Sequence, residues 1–226
     1  MKNFYIVLGV VAVAGVVVVG LALRGAGGTP VSEPVDLGEI GNEELLELAQ
    51  GAVYGNPDAP ITIMEFGDYQ CSGCAYFGLS VKPLVDMTYI EDGHAKLVFH
   101  DFPLSHFQHS FLAARAARCA GDQDRYFEYH DAVFRTQPDW SVMQSTAGHF
   151  KDLADDLGLD TGTFNDCLDS DAHAELVTAN MTLGMRLGVA QTPTVFVHDG
   201  QNSRRLAGAQ FADIQAAIEA LQSGNQ

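Results

Sequence analysis

The chain has 226 residues, with 29 acidic side chains against 12 basic ones and a formal net charge of −17. So negative a molecule repels nucleic-acid phosphates and anionic lipid headgroups, which excludes nucleic acid as an expected partner. With an apolar N-terminal stretch set aside, about 200 residues remain, enough for one domain with a sizeable core.

Residues 4–23 read FYIVLGVVAVAGVVVVGLAL and carry no charge. A helix of this length, at ~1.5 Å per residue, crosses a ~30 Å hydrocarbon layer. Lys2 and the amino terminus precede it and Arg24 follows, a small bias that places the N-terminus inside and the rest of the chain outside. A cleaved signal peptide is the alternative. Its apolar region usually runs ~7–15 residues before a small-x-small site, and no Ala-x-Ala pattern stands around residues 22–27. The expectation is therefore an uncleaved single-pass anchor over residues 1–24, in the cell membrane, with the remainder on the extracytoplasmic side. Residues 25–52 read as a tether without periodicity followed by a short helix over 43–50, with Asn42 as its cap. Only four bases are lysines (Lys2, Lys82, Lys96 and Lys151). An acidic, lysine-poor surface suits a high-salt setting, and an ordinary acidic exported protein is the other reading.

Turn residues at 55–60 precede an apolar run at 61–66, ITIMEF, read as a buried strand holding one acid, Glu65. After a turn at 67–70 come Cys71-Ser72-Gly73-Cys74 and a helical pattern to about residue 91. Two cysteines three apart at a helix start can close a small disulfide ring. The first thiol then lies where open N–H groups and the helix dipole favour an anion. Pro83 is expected to kink or interrupt this helix, and Gly93 to stop it. Residues 95–99 form a second strand. Strand signals then vanish from about 105 to 188, where helical stretches follow at 109–120, 123–136, 147–157, 161–169 and 173–187. A strand at 194–198, a hairpin turn at Asp199-Gly200, a short strand at 204–207 and a helix at 210–222 complete the chain.

A C-x-x-C between a strand and a helix, with Gln191-Thr192-Pro193-Thr194 leading into a distant strand, resembles the DsbA-like thiol–disulfide oxidoreductase family. The resemblance covers roughly residues 53–221. It implies an α/β thioredoxin fold over 53–222 with an inserted all-helical subdomain at about 105–188, preceded here by the transmembrane helix. It also implies a cis Pro193 facing the cysteine pair, with the Thr192 backbone free to pair with an extended substrate segment. Glu65 would lie beneath the site with a raised pKa, passing a proton to or from Cys74; an acid reaching water at the sheet edge is the other reading. Asp68, in the turn, reads as a solvated loop acid.

In the chemistry these residues suggest, Cys71 is the nucleophile and Cys74 the resolving thiol. A substrate thiolate attacks the Cys71–Cys74 disulfide at Cys71, a mixed disulfide forms, and the substrate leaves oxidised. No cofactor is required. The helix dipole, at ~0.3–2 kcal/mol, lowers a thiol pKa by at most about 1.5 units. Ser72-Gly73 lacks the histidine of the strongest oxidants, so a moderate lowering is expected. Cys119 and Cys167 stand 48 residues apart. An even cysteine count in an exported protein permits a structural disulfide between them, worth ~3–4 kcal/mol; two buried free thiols are the alternative. No metal site is expected. No histidine lies within ten residues of the C-x-x-C, and His94, His100, His106, His109, His130, His149, His173 and His198 form no zinc pattern and read as non-catalytic. The expected function is introduction of disulfides into exported proteins with free thiols by a monomer, re-oxidised by a quinone-linked membrane partner. A reductase or isomerase on the same scaffold, or a metal-handling thioredoxin-fold module, is the alternative.

Overall fold

The computed structural model describes residues 30–224. The expected anchor at 1–24 lies outside them, and among the described residues no helix is long and apolar enough to cross a membrane. From residue 30 the chain lies against the domain. Arg115 donates from Nη1 to the Val31 carbonyl at 2.7 Å, Thr178 Oγ1 accepts from the Val35 amide at 3.1 Å, and Arg186 donates to the Ile40 carbonyl at 2.8 Å. Helix α1, Asn42–Leu48, follows. Its cap is Gly41, in extended conformation and using no side chain, so Asn42 is the first helical residue and not the cap. The Asn42 side chain is turned outward, where it accepts from Arg186.

A five-stranded mixed sheet organises the rest. It comprises β1 (Ala52–Tyr54), β2 (Ile61–Gly67), β3 (Ala95–Asp101), β4 (Thr194–His198) and β5 (Ser203–Arg205), in the order β1-β3-β2-β4-β5. β2 is central, parallel to β3 and antiparallel to β4. Covered on both faces, it reads as an apolar run and not as an alternating one. β1 is an antiparallel edge strand of three residues, too short to leave a pattern.

α2 leaves β2 through the cysteine loop and runs as consecutive helical segments, Ser72–Tyr76, Phe77–Val81, Lys82–Val85 and Asp86–Ile90. The second and fourth are π-helical. Pro83 therefore widens the helix on both sides without ending it. Its ring would clash with a carbonyl one α-turn back, and a wider turn removes that clash. Gly93, at φ 72°, then turns the chain into β3.

The insert holds α3 (Ser110–Gly121), α4 (Tyr126–Arg135), α5 (Gln137–Trp140), α6 (Ala147–Asp156), α7 (Thr161–Leu168) and α8 (Ala174–Arg186). α3 is buried along nearly its whole length, because its alanines allow neighbouring helices to approach closely. The expected single helix at 123–136 begins after Asp124, which adopts φ 58°, and breaks at Thr136. Pro138 opens α5 from its first turn, a position that needs no N–H. Trp140 closes α5, fully buried against Phe150 with Nε1 donating to the Val133 carbonyl at 2.9 Å. α9, Phe211–Gly224, covers the sheet beside α2 with Ile214, Ile218 and Leu221.

Candidate redox site

Cys71 sits at the N-cap of α2 in extended conformation, φ −77° and ψ 121°, and is half-buried. Its carbonyl accepts from the Cys74 and Ala75 amides, each at 3.1 Å, which starts the helix and leaves earlier N–H groups open towards the sulfur. Cys74 is one turn in and wholly buried, and both thiols are free. The Cys71 thiol is pulled down to about 5. The main cause is hydrogen bonding from the Cys74 thiol, partly opposed by burial; the Thr192 side chain and the Cys74 and Gly73 amides add to it. Burial, the Cys71 sulfur and the charge of Glu65 push Cys74 up. The lowering at Cys71 exceeds what a helix dipole alone supplies, because the second thiol acts as an extra donor.

The Thr192–Pro193 bond is cis. The Thr192 carbonyl lies 3.4 Å from Cys71 Sγ, and the Thr192 hydroxyl is buried without a hydrogen-bond partner. Gly73 permits this approach, since a Cβ there would stand 3.1 Å from Pro193 Cδ. Beside the proline a groove of about 330 Å³ opens between Gly73, Tyr76, Thr192, Leu206 and Gln210.

Glu65 is 1% exposed on the central strand, between Phe99 of β3 and Val195 of β4. A side chain so placed reaches no sheet edge. Oε1 has no hydrogen-bond partner, and the carboxyl is held well above its ordinary pKa by burial first and by the Cys71 charge second, with Lys82 opposing. Asp68 is not a solvated loop acid. It is 1% exposed, and its carboxylate accepts from the Gln70 and Leu104 amides, each at 2.7 Å, and from the Ser110 hydroxyl. Its own amide donates to Cys74 Sγ at 3.4 Å. Burial raises its carboxyl to about 6, with those bonds pulling the other way.

Two residues that sequence reading passed over also reach this loop. Gln137 Nε2 donates to the Tyr69 and Cys71 carbonyls, and Gln70 pairs with His109 and Ser141. Gln137 stands in a Gln-Pro-Asp stretch that looks like a turn, 66 residues beyond Cys71, so no spacing links them. Cys119 of α3 and Cys167 of α7 form a disulfide, with Cα atoms 5.8 Å apart. His173 has a ligand atom within 4.8 Å of both sulfurs, but with the sulfurs bonded to each other this group offers a metal one imidazole. His100 and His130 are buried, and burial lowers both pKa values.

A family model described as thioredoxin matches residues 47–220. Disulfide bond formation protein D of Bacillus subtilis is 32% identical over 150 residues, 65% of this chain and 67% of that one. A probable disulfide bond formation protein D of Bacillus anthracis is 27% identical over 190 residues, 81% of this chain and 83% of that one. The crystal structure of oxidised BdbD from Bacillus subtilis superposes with a TM-score of 0.67 at 29% identity, covering 76% of this chain and 95% of that chain. A thioredoxin-type sheet, an all-helical insert and a cis-proline loop against a C-x-x-C thus coincide with the matches of sequence and fold, and the chain belongs to the thioredoxin family as a DsbA-like thiol–disulfide oxidoreductase.

Proposed function

We propose that this oxidoreductase works as a disulfide donor, with Cys71 as the sulfur that substrates attack and Cys74 as the resolving thiol. The observation that carries this reading is the opposed pair of thiol environments, Cys71 pulled down to about 5 and Cys74 pushed up. A stabilised Cys71 thiolate lowers the free energy of the reduced form. The disulfide is then the less stable partner and passes on its oxidising equivalent. A substrate thiolate attacks Cys71 Sγ, the Cys71–Cys74 bond breaks, and Cys74 leaves and takes a proton. A second substrate thiolate then attacks the substrate sulfur of the mixed disulfide, and Cys71 leaves as the thiolate its surroundings favour. Glu65, on the central strand beneath the site with an unpaired oxygen, is the group that exchanges the proton with Cys74. The Thr192 backbone, beside the groove at Pro193, takes an extended substrate segment, and the Cys119–Cys167 bridge is structural.

The charge-free stretch at residues 4–23 supports a single-pass anchor with the oxidoreductase on the extracytoplasmic side. In that setting the substrates are exported proteins with free thiols. A quinone-linked membrane protein restores the disulfide, and the chain acts as a monomer. The deciding measurement is the reduction potential of the Cys71–Cys74 pair in glutathione buffers. A soluble form should begin at residue 30 to keep the Val31 carbonyl on Arg115. A value well above about −200 mV marks a disulfide donor, and a value near or below about −270 mV marks a reductant and reverses the assigned direction.

A further inference from the structure

The loop that presents Cys71 is tied to the helical insert by two glutamine side chains that cross in opposite directions. From the loop, Gln70 Nε2 donates to the Ser141 carbonyl at 3.2 Å, and Gln70 Oε1 accepts from the His109 amide at 2.8 Å. From the insert, Gln137 Nε2 donates to the Tyr69 carbonyl at 2.6 Å and to the Cys71 carbonyl at 3.1 Å. Both amide hydrogens of Gln137 are thus spent on carbonyls flanking Gln70.

These bonds fix peptide planes as well as positions. The peptide between Tyr69 and Gln70 is held at its oxygen by Gln137 and at its nitrogen by Asp68 Oδ1, at 2.7 Å. The next peptide is held at the Cys71 nitrogen, which donates to the Asp68 carbonyl at 3.1 Å. The third, between Cys71 and Ser72, is held at its oxygen by Gln137 together with the first two bonds of α2. The orientation of that third peptide decides where the Ser72 amide points and where the Cys71 sulfur sits over the helix start. α5 itself is held by other contacts, chiefly the buried Trp140 against Phe150, so Gln137 is not what keeps its own helix in place.

We propose that Gln137 is a positioning residue for thiol–disulfide exchange: from the helical insert it fixes the Tyr69–Gln70 and Cys71–Ser72 peptide planes and so holds the Cys71 sulfur against the donors that stabilise its thiolate. The proposal rests on the reading of Cys71 as the reactive sulfur. It assigns the insert a part in the chemistry beyond covering the site, because the thiolate's stability then depends on a side chain carried 66 residues away.

The test uses the full chain with the Cys119–Cys167 bridge intact, in the wild type and in Gln137→Leu, Gln137→Glu and Cys71→Ser variants. The ultraviolet absorbance of the thiolate is followed against pH, and the equilibrium with glutathione is measured in parallel. Gln137→Leu should move the thiolate titration up by about one pH unit and make the pair about tenfold harder to reduce. Gln137→Glu keeps the shape. Once ionised it sets a carboxylate against two carbonyls, so its titration should move further up than that of the leucine variant, and this variant covers the case in which the leucine form folds poorly. A signal lost in Cys71→Ser but unmoved in both Gln137 variants, with only the melting temperature lowered, overturns the positioning role alone. A low-pH thiolate signal that survives Cys71→Ser overturns the Cys71 assignment and the positioning role with it.

Discussion

Glu65 and Asp68 are two buried carboxyls three residues apart, and their surroundings give them different tasks. Asp68 spends both oxygens on three donors, whereas Glu65 leaves Oε1 unpaired. Both folded-state pKa values are raised, so the folded protein holds protons that the unfolded chain has released. Stability contributed by the protonated carboxyls is present in full at low pH. It declines as pH rises from the unfolded pKa towards the folded one, which is about 6 for Asp68 and well above the ordinary carboxylate range for Glu65. Glu65→Gln removes this loss. The variant should melt higher than the wild type, by a margin that grows from about pH 5 upward, as read by thermal unfolding across pH. On the role proposed for Glu65, the same variant also loses the proton carrier of Cys74. Stopped-flow reduction should therefore show exchange slowed by about a hundredfold, the low end of what acid–base help contributes. Asp68→Asn should behave in the opposite sense. Its amide nitrogen turns a donor towards donors that the carboxylate satisfied, and unfolding in denaturant should register a loss of about 1–3 kcal/mol.

At the scale of elements, the Cys119–Cys167 bridge clamps α3 to α7 across 48 residues. A loop of that length contributes about 4 kcal/mol in the chain-entropy picture. Replacing both cysteines by alanine should lower the denaturant midpoint accordingly while leaving the Cys71 titration in place, since neither sulfur touches the redox loop. How far such elements could be read in advance follows from where their information lies. β2 and β4 are apolar runs bounded by turns, and the insert helices carry their own periodicity and breaks, so local sequence was enough. β1 has three residues and is defined by its pairing with β3, which is information held elsewhere in the chain. The proline at 83 signals an interruption, and the sequence does not say that the helix absorbs it in widened turns on both sides and continues. Within the site, Cys71, Cys74 and Pro193 announce themselves by motif. Asp68 looked solvated because its partners, Leu104 and Ser110, come from other segments. Gln137 stayed invisible because a glutamine beside a proline carries no signal of the two carbonyls it will meet.

For the molecule as a whole, charge placement matters more than the total. Of the few cations, Lys82 and Arg118 are buried and paired with Asp131 and Asp101, and Arg115 is buried with its guanidinium on the carbonyls of Val31, Cys167, Ser170 and Ala172. Those cations cannot offset the surface. The exposed acids at Glu33, Glu39, Glu43, Glu44 and Glu47 instead lie along the segment before α1 and on α1 itself. Folding therefore gathers like charge on the outside, and the cost depends on screening. The Debye length falls from about 10 Å at 0.1 M salt to about 3 Å at 1 M. If self-repulsion is a real term in the stability, the thermal midpoint should climb by several degrees between those salt concentrations, with neutral osmolytes as the control for general exclusion effects. A flat salt profile would show instead that the acids are spaced widely enough to ignore one another, and the high-salt reading of the composition would fall. The buried Arg115 supplies an internal comparison. Arg115→Met leaves up to four carbonyls without their donor and frees the chain at Val31, so it should cost about 3 kcal/mol or more. That loss should persist at 1 M salt, because buried hydrogen bonds are screened far less than exposed charges.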